Sequence, residues 1–341
     1  MCNVIKKIVF LSLVAAMLSI VLCASADQPV PPKRTEPLDD SSNRVVIYSA
    51  SEDYKNEYFL KRLNEEFPEY DITIDYMPSG NLAAKVLAEG SDTDMDIYID
   101  VDFSYADRLV DYLADLSDYD QSNYLDDCKV DNAHYLAYIR TGSAIIINPA
   151  ILEAKGLEEP TSYADLLKPE YKNLISMPNP KSSGVGYMFL KNLVNAWGEE
   201  EAFTYFDELA ENILQFTSSG LGPVNALVQG EAAIGLGEIA QAVNAINSGV
   251  DLKIIFFEEG APFSLYGYAI PEGKQTRKAV KDVFDFFYTT LVYEDKELFY
   301  PEQIFIDQVN TMENFPKDIP YGDMSGNTTE EKIRLIDKWE Y

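Results

Sequence analysis

The sequence predicts an α/β fold built from two halves of similar size. Two observations carry that reading. Apolar runs of strand length alternate with segments whose apolar residues recur at helical spacing, and this rhythm occurs twice along the chain. The turns leading from strand to helix are rich in Ser, Thr and Gly, and they recur at equivalent places. A β-α-β-α-β rhythm implies a mostly parallel, twisted sheet with helices on both faces. The length of 341 residues suits about two domains of roughly 100–200 residues each.

The elements follow in order. Residues 45–48 form a continuous apolar run, as a strand buried on both faces requires. Ser49-Ala50-Ser51-Glu52-Asp53 supplies capping residues and first-turn acids for a helix carrying Phe59, Leu60, Leu63 and Phe67. Residues 71–76 alternate, with Ile72, Ile74 and Tyr76 on one face, and Ser79-Gly80-Asn81 opens the next helix. A third strand is expected over 96–101 and a helix over about 105–113. In the second half, strands are expected over 144–147, 174–177, 232–236 and 252–257. Helices are expected over 163–167, after Ser182-Ser183-Gly184, over 200–213, from 278 to 287 or beyond, and over 329–341.

Composition bounds the function. Lys+Arg number 27 against 57 Asp+Glu, a formal net charge of −30. This excess excludes nucleic acid as a default partner, since phosphate recognition needs a basic face. It leaves room for a local anion site at a helix end. Lys6 and Lys7 precede an apolar run ending at Cys23, followed by Ala24-Ser25-Ala26. That order is a signal peptide over 1–26, cleaved after Ala26, with lipidation at Cys23 as the alternative. The chain is thus expected to be exported, periplasmic or extracellular. Residues 27–43, rich in Pro, Ser and charge, read as a linker. The mature chain would keep one thiol, Cys128, expected as a small half-buried residue, and one imidazole, His134. Neither makes a nucleophile or a metal site, so no metal or cofactor is expected.

The stretch that speaks most directly of binding is Asn179-Pro180-Lys181-Ser182-Ser183-Gly184-Val185-Gly186-Tyr187. A helix start with hydroxyls, free amides and no acid nearby suits an anionic group. Ser218 and Ser219 repeat the pattern, and Ser49, Ser51, Ser79 and Gly80 hold the equivalent place in the first half. Asp100 and Asp102 follow the third strand, placed either to face a cleft or to cap a helix. Glu258 and Glu259 suit an ammonium partner or a solvated loop.

Read in series, Arg140-Thr141-Gly142, Ser162-Tyr163-Ala164-Asp165-Leu166-Leu167, Ser183-Gly184-Val185-Gly186-Tyr187, Ala233-Ile234-Gly235-Leu236-Gly237 and Phe257-Glu258-Glu259-Gly260 resemble the extracellular solute-binding proteins of ABC importers. Within these the chain resembles the branch for ferric iron, 2-aminoethylphosphonate or sugar phosphates. The resemblance implies a type II periplasmic-binding-protein fold, in which two α/β lobes close on a ligand about two hinge crossings. It places lobe one at 44–139 plus 266–319, lobe two at 140–265, and a C-terminal helical segment at 320–341. The crossings fall near 138–142 and 264–269, which brings Arg140, Thr141, Tyr266 and Tyr268 into consideration as cleft residues. The departures are specific. There is no adjacent tyrosine pair of the ferric type, and Ala240 and Gln241 stand where sugar-phosphate members carry His-Asp.

The resemblance implies a binding protein and not an enzyme, acting as a monomer that hands a solute to a membrane permease and its ATPase. The retained Ser-Ser-Gly turn favours an anionic or zwitterionic solute of the phosphonate or organophosphate class. Ferric iron and a polyamine are the alternatives, with a secreted carboxylate-pair hydrolase the weakest.

Overall fold

The computed structural model describes residues 42–341; the expected signal peptide, Cys23 and all but the end of the linker lie outside the described residues. The first half runs β1 (Arg44–Ser49), α1 (Asp53–Glu66), β2 (Asp71–Tyr76), α2 (Ser79–Glu89), β3 (Ile97–Asp102) and a single turn, α3 (Phe103–Ala106). The long strand β4 (Leu136–Ile147) leads into α4 (Pro149–Lys155), β5 (Ile175–Pro178), α5 (Gly184–Trp197), α6 (Glu199–Ala210) and β6 (Ile213–Thr217). Then come α7 (Gly222–Val228), β7 (Ile234–Glu238), α8 (Ile239–Asn247), β8 (Lys253–Ile255) and β9 (Phe263–Ala269). The chain closes with α9 (Lys278–Phe286), a π turn (Phe287–Leu291), α10 (Val292–Leu298) and α11 (Thr329–Lys338).

The strands join in the order β2-β1-β3-β9-β4-β7-β5-β6, with β8 beside β4. Pairing is parallel within β2-β1-β3 and within β7-β5-β6. It is antiparallel wherever β4 or β9 takes part. The sheet is therefore mixed, where the sequence rhythm implied a mostly parallel one. The cause is that β4 and β9 do not belong to a β-α-β unit: they run between the two halves. Residues 136–142 of β4 pair with β9, and from Ser143 onward the partner becomes β7, with Ser143 opposite Glu238. One strand thus serves two sheets, changing partner between Gly142 and Ser143.

Each half has its own core. Val45, Ile47, Phe59, Leu63, Ile97, Ile99, Tyr138, Tyr268, Phe284 and Phe287 pack in the first. Ile145, Ile175, Met177, Phe189, Leu193, Phe206, Leu236, Leu335 and Trp339 pack in the second. The two cores make the molecule two-lobed. After α10 the chain crosses once more, with Ile304 and Phe305 in the first core and Phe315 against Ala144, Ile239 and Val243.

Several expected elements differ in extent. The helix expected over 105–113 is the one-turn α3 and a 3-10 turn at Val110–Tyr112. The reason is the sheet edge: Ala114 N–H donates to the Ile270 carbonyl (2.8 Å) and Leu113 bridges to Pro271, which draws the chain out of helical geometry. The helix expected through 213 ends at Ala210. There the buried Asn212 amide donates to the Leu166 and Lys168 carbonyls, and the chain turns into β6. The seven-residue α4 escapes sequence detection because only Leu152 is buried; Asn148 caps its start and Gly156, at φ 67°, ends it. Among the described residues no helix is long and apolar enough to cross a membrane.

Candidate functional site

The C-terminal edges of β1, β2 and β3 meet the crossing strands at a concavity, the place where open α/β sheets bind ligands. It consists of two adjoining cavities. The first, of about 420 Å³, is lined by Ala50, Glu52, Tyr76, Pro78, Ser79, Asp100, Ile139, Thr141, Leu221, Glu238, Tyr266 and Tyr300. The second, of about 280 Å³, is lined by Ser182, Ser183, Gly184, Val185, Met188, Ser218, Ser219, Gly220, Glu238 and Tyr266. Glu238 and Tyr266 face both and join them. Every described residue that lines either cavity is neutral or acidic; none is Lys, Arg or His.

Backbone geometry places the acids. Asp100 sits at φ 67°, a left-handed conformation rare outside glycine, where the register of β3 against β9 shifts between Ile99 and Val101. Strain of this kind costs on the order of 1–3 kcal/mol and persists only where the surroundings impose it. Ser51 Oγ donates to Asp100 Oδ2 at 2.7 Å. Burial pushes the Asp100 carboxyl above the usual carboxylate range, while the Lys55 ammonium and the Ser51 hydroxyl pull it back. Glu238 ends β7 opposite Ser143, at the point where β4 changes partner. Burial raises its carboxyl, and Glu52 nearby raises it further. Tyr300 Oη lies 3.5 Å from Glu52 Oε1, and Tyr54 is pushed up to about 12 by burial and by Glu52, Asp295 and Asp100. Burial lifts the Tyr266 phenol well above its usual range, with Asp102, Asp100 and Glu238 adding to it.

The second cavity is of another character. Ser183 caps α5, its Oγ accepting from Gly186 N–H at 3.5 Å. Gly186 is dictated by space: a Cβ there would lie 2.4 Å from the Pro178 carbonyl oxygen. The start of α5 is thereby held against the end of β5.

The structure brings together Ser79, Thr141, Ser182, Ser183, Gly184, Ser218, Ser219 and Tyr266 along these cavities. It places the other expected site residues elsewhere. Ser49 and Ser51 are buried one layer behind, Ser49 Oγ accepting from Ser51 N–H. Asp102 caps α3 through Ser104 N–H (2.8 Å), and its own N–H donates to Ser79 Oγ (2.9 Å). Gly80 faces the Tyr105 hydroxyl. Tyr268 is fully buried in the first core against Phe284 and Phe287. Arg140 is buried behind the crossing strands. Its Nη2 donates to Asp127 Oδ1 (2.5 Å) and Cys128 Sγ (2.6 Å), and the guanidinium lies over Phe263 and Tyr321 at 4.8 and 4.0 Å. Cys128 is buried outright, its thiol pushed up to about 12 by that burial. His134 Nδ1 lies 3.1 Å from the Leu113 and Ala114 carbonyls. A larger groove of about 890 Å³, with Arg140, Asp127 and Tyr321 in its wall, shares no residue with the two cavities.

Glu52, Tyr76, Asp100, Leu221, Glu238 and Tyr300 complete the first cavity. Glu52 and Glu238 had a legible signal: each is the first acid after a strand end, Glu238 directly following Gly235-Leu236-Gly237. Ala240 and Gln241, two and three residues further, lie on α8; Gln241 Nε2 donates to the Leu221 carbonyl. Tyr300 carried no local signal, since it arrives from about 200 residues away along the chain.

Comparison with known proteins follows this geometry. The model of the bacterial extracellular solute-binding proteins matches residues 97–314, more than half of the chain. A spermidine/putrescine-binding periplasmic protein of Escherichia coli is 25% identical over 263 residues, 75% of this chain and 69% of that one. The periplasmic binding protein AfuA of Actinobacillus pleuropneumoniae, solved with fructose-6-phosphate bound, superposes with a TM-score of 0.68 at 24% identity over 87% of this chain and 97% of its own. A ferric binding protein of Campylobacter jejuni gives 0.70 at 17% identity over 86% and 98%. The fold is the two-lobed type II fold of periplasmic binding proteins. The chain belongs to the bacterial extracellular solute-binding proteins and is the solute-binding component of an ABC transporter.

Proposed function

We propose that the solute is a small organic amine, bound as a cation between the lobes. The observation that carries this reading is the convergence of Glu52, Asp100 and Glu238 with the rings of Tyr76, Tyr266 and Tyr300, in a cavity where no lining residue is basic. Carboxylates with aromatic faces suit an alkylammonium. Magnitudes favour a cation over an anion. At an effective dielectric near 20, a unit charge about 4 Å from a carboxylate gains or loses about 4 kcal/mol. A helix N-terminus returns only about 0.3–2 kcal/mol to an anion. The start of α5 does not offset repulsion from Glu238, which faces both cavities. Among the described residues no three His, Cys, Asp or Glu side chains are grouped so as to hold a metal ion. The similarity to a spermidine/putrescine-binding protein supports the same class.

A second reading rests on the adjoining Ser182-Ser183-Gly184 and Ser218-Ser219 cavity. A zwitterion such as 2-aminoethylphosphonate could place its ammonium among the acids and its anionic end at the α5 amides. A fully anionic organophosphate, the class favoured by the Ser-rich turns alone, has no cation to meet in either cavity.

Thermal unfolding with putrescine, spermidine, 2-aminoethylphosphonate and inorganic phosphate separates these readings. A ligand at about 100 times its Kd adds about 2.7 kcal/mol, a rise of several degrees in Tm. The expected result is a rise with an amine, strongly reduced in Glu238→Gln, and none with phosphate. A rise with 2-aminoethylphosphonate alone supports the second reading. A rise with phosphate alone overturns both.

A further inference from the structure

The turn between β6 and α7 holds a leucine that no core claims. Leu221 is 51% exposed and joins none of the apolar clusters of the described residues, although Val224 and Leu227, on the adjoining α7, pack with Ile146. A single exposed leucine is ordinary on a protein surface. Leu221 differs in how firmly its backbone is held and in what it lines.

Its carbonyl accepts twice, from Gln241 Nε2 at 2.9 Å and from Asn225 N–H at 3.2 Å. On one side, a Cβ on Gly220 would lie 2.4 Å from Val185 Cγ2 and 3.3 Å from Glu238 Oε1. On the other, a Cβ on Gly222 would lie 2.4 Å from Thr217 Cβ. The chain thus runs tight against the Val185 and Thr217 side chains and passes beside the Glu238 carboxylate, where glycine before and after Leu221 gives the room.

Leu221 and Glu238 are the residues that the β5-β6-β7 half contributes to the first cavity. Tyr76, at the end of β2, lines the same cavity from the other half; it is 58% exposed and likewise outside the core. The wall therefore carries a carboxylate with an aliphatic side chain nearby, on a backbone that is fixed. The carboxylate answers an ammonium. A leucine side chain offers nothing to an ammonium, a hydroxyl or a phosphate, and gains only from covering hydrocarbon.

We propose that Leu221 is a specificity-determining residue: it covers the hydrocarbon chain of the solute while Glu238 meets the ammonium, so that the site prefers an amine with an unsubstituted alkyl chain to a hydroxylated one. This rests on the amine reading of the site and narrows it to alkylamines. Gln241 is then a positioning residue, since its amide holds the Leu221 carbonyl and its side chain does not line the cavity.

The test is calorimetry at pH 7.5 on the full-length protein with 1,3-diaminopropane, putrescine, cadaverine and 1,3-diaminopropan-2-ol. Leu221→Ser is expected to weaken putrescine about fivefold, because about half of the leucine is left for a solute to cover. The factor is expected to rise for cadaverine, by no more than about fourfold for its one extra methylene, and to be smallest for the hydroxylated diamine. Comparing each probe between wild type and variant cancels the effect of chain length on how the two ammonium groups reach their acids. Leu221→Met, which keeps an apolar cover, is expected to bind all four as wild type does. An equal loss for every probe, or no loss for any, overturns the proposal while leaving the amine reading intact. A wild-type protein that binds none of the diamines overturns the reading itself, and the proposal with it.

Discussion

At the scale of single residues, the hinge holds the clearest titration. Glu302 is almost fully buried, accepting from Gly142 N–H at 2.7 Å and from the Tyr321 hydroxyl at 3.2 Å. Burial raises its carboxyl from near 4.5 to about 7. A raised acid holds its proton in the folded state after the unfolded chain has lost it. Its stabilisation is therefore complete below about pH 4.5 and is lost as pH rises through 7. Glu302→Gln cannot titrate. The unfolding free energy of wild type, measured relative to this variant, is expected to fall by about 3 kcal/mol between pH 4.5 and 7. Parallel denaturant-unfolding profiles would show that the carboxyl does not change state. The residue scale is also where the sequence was hardest to read. Ser79, Thr141, Ser182, Ser183 and Tyr266 were legible because they sit at strand ends and crossings. Arg140 occupies the same kind of position, yet its guanidinium turns to Asp127 on the far side. Side-chain direction at a hinge depends on the opposite wall, which local spacing does not encode.

At the scale of elements, the α5 start is the best-defined part of the site. The turn 179–186 was legible as a strand-to-helix junction because Pro, Ser and Gly each have a physical reason to be there. Gly186→Ala drives a methyl group into the Pro178 carbonyl, with the Asn179 carbonyl carbon and the Pro180 nitrogen each 2.8 Å away, all of them backbone. Overpacking against backbone costs roughly 1–3 kcal/mol, so Tm is expected to fall by several degrees; an unchanged Tm would show that α5 is free to shift. Elements were legible where burial is two-sided or strongly periodic, as in β1, α1 and α9. They were not where tertiary contacts override pattern, as where Asn212 diverts the chain from α6 into β6. The mixed sheet belongs to the same class, since the direction of β4 and β9 is set by the crossings.

At the scale of the whole molecule, two cores are joined by β4, β9 and the chain after α10, and β4 changes partner between Gly142 and Ser143. Hinge closure would bring Glu238 and the α5 start over Glu52, Asp100 and Tyr300, surrounding a solute from both lobes. The formal net charge of −30 by itself excludes nucleic acid as a default partner and names no ligand. The structure moves part of it into the cleft, through three acids of which the sequence singled out only Asp100. The central claim is that this cleft seats an ammonium. Isothermal titration calorimetry at pH 7.5 with putrescine, spermidine, 2-aminoethylphosphonate and fructose 6-phosphate tests it most directly. The expected result is 1:1 binding, micromolar or tighter, by at least one amine-bearing probe, lost on Glu238→Gln. Tight binding of fructose 6-phosphate with no heat from any amine would contradict it.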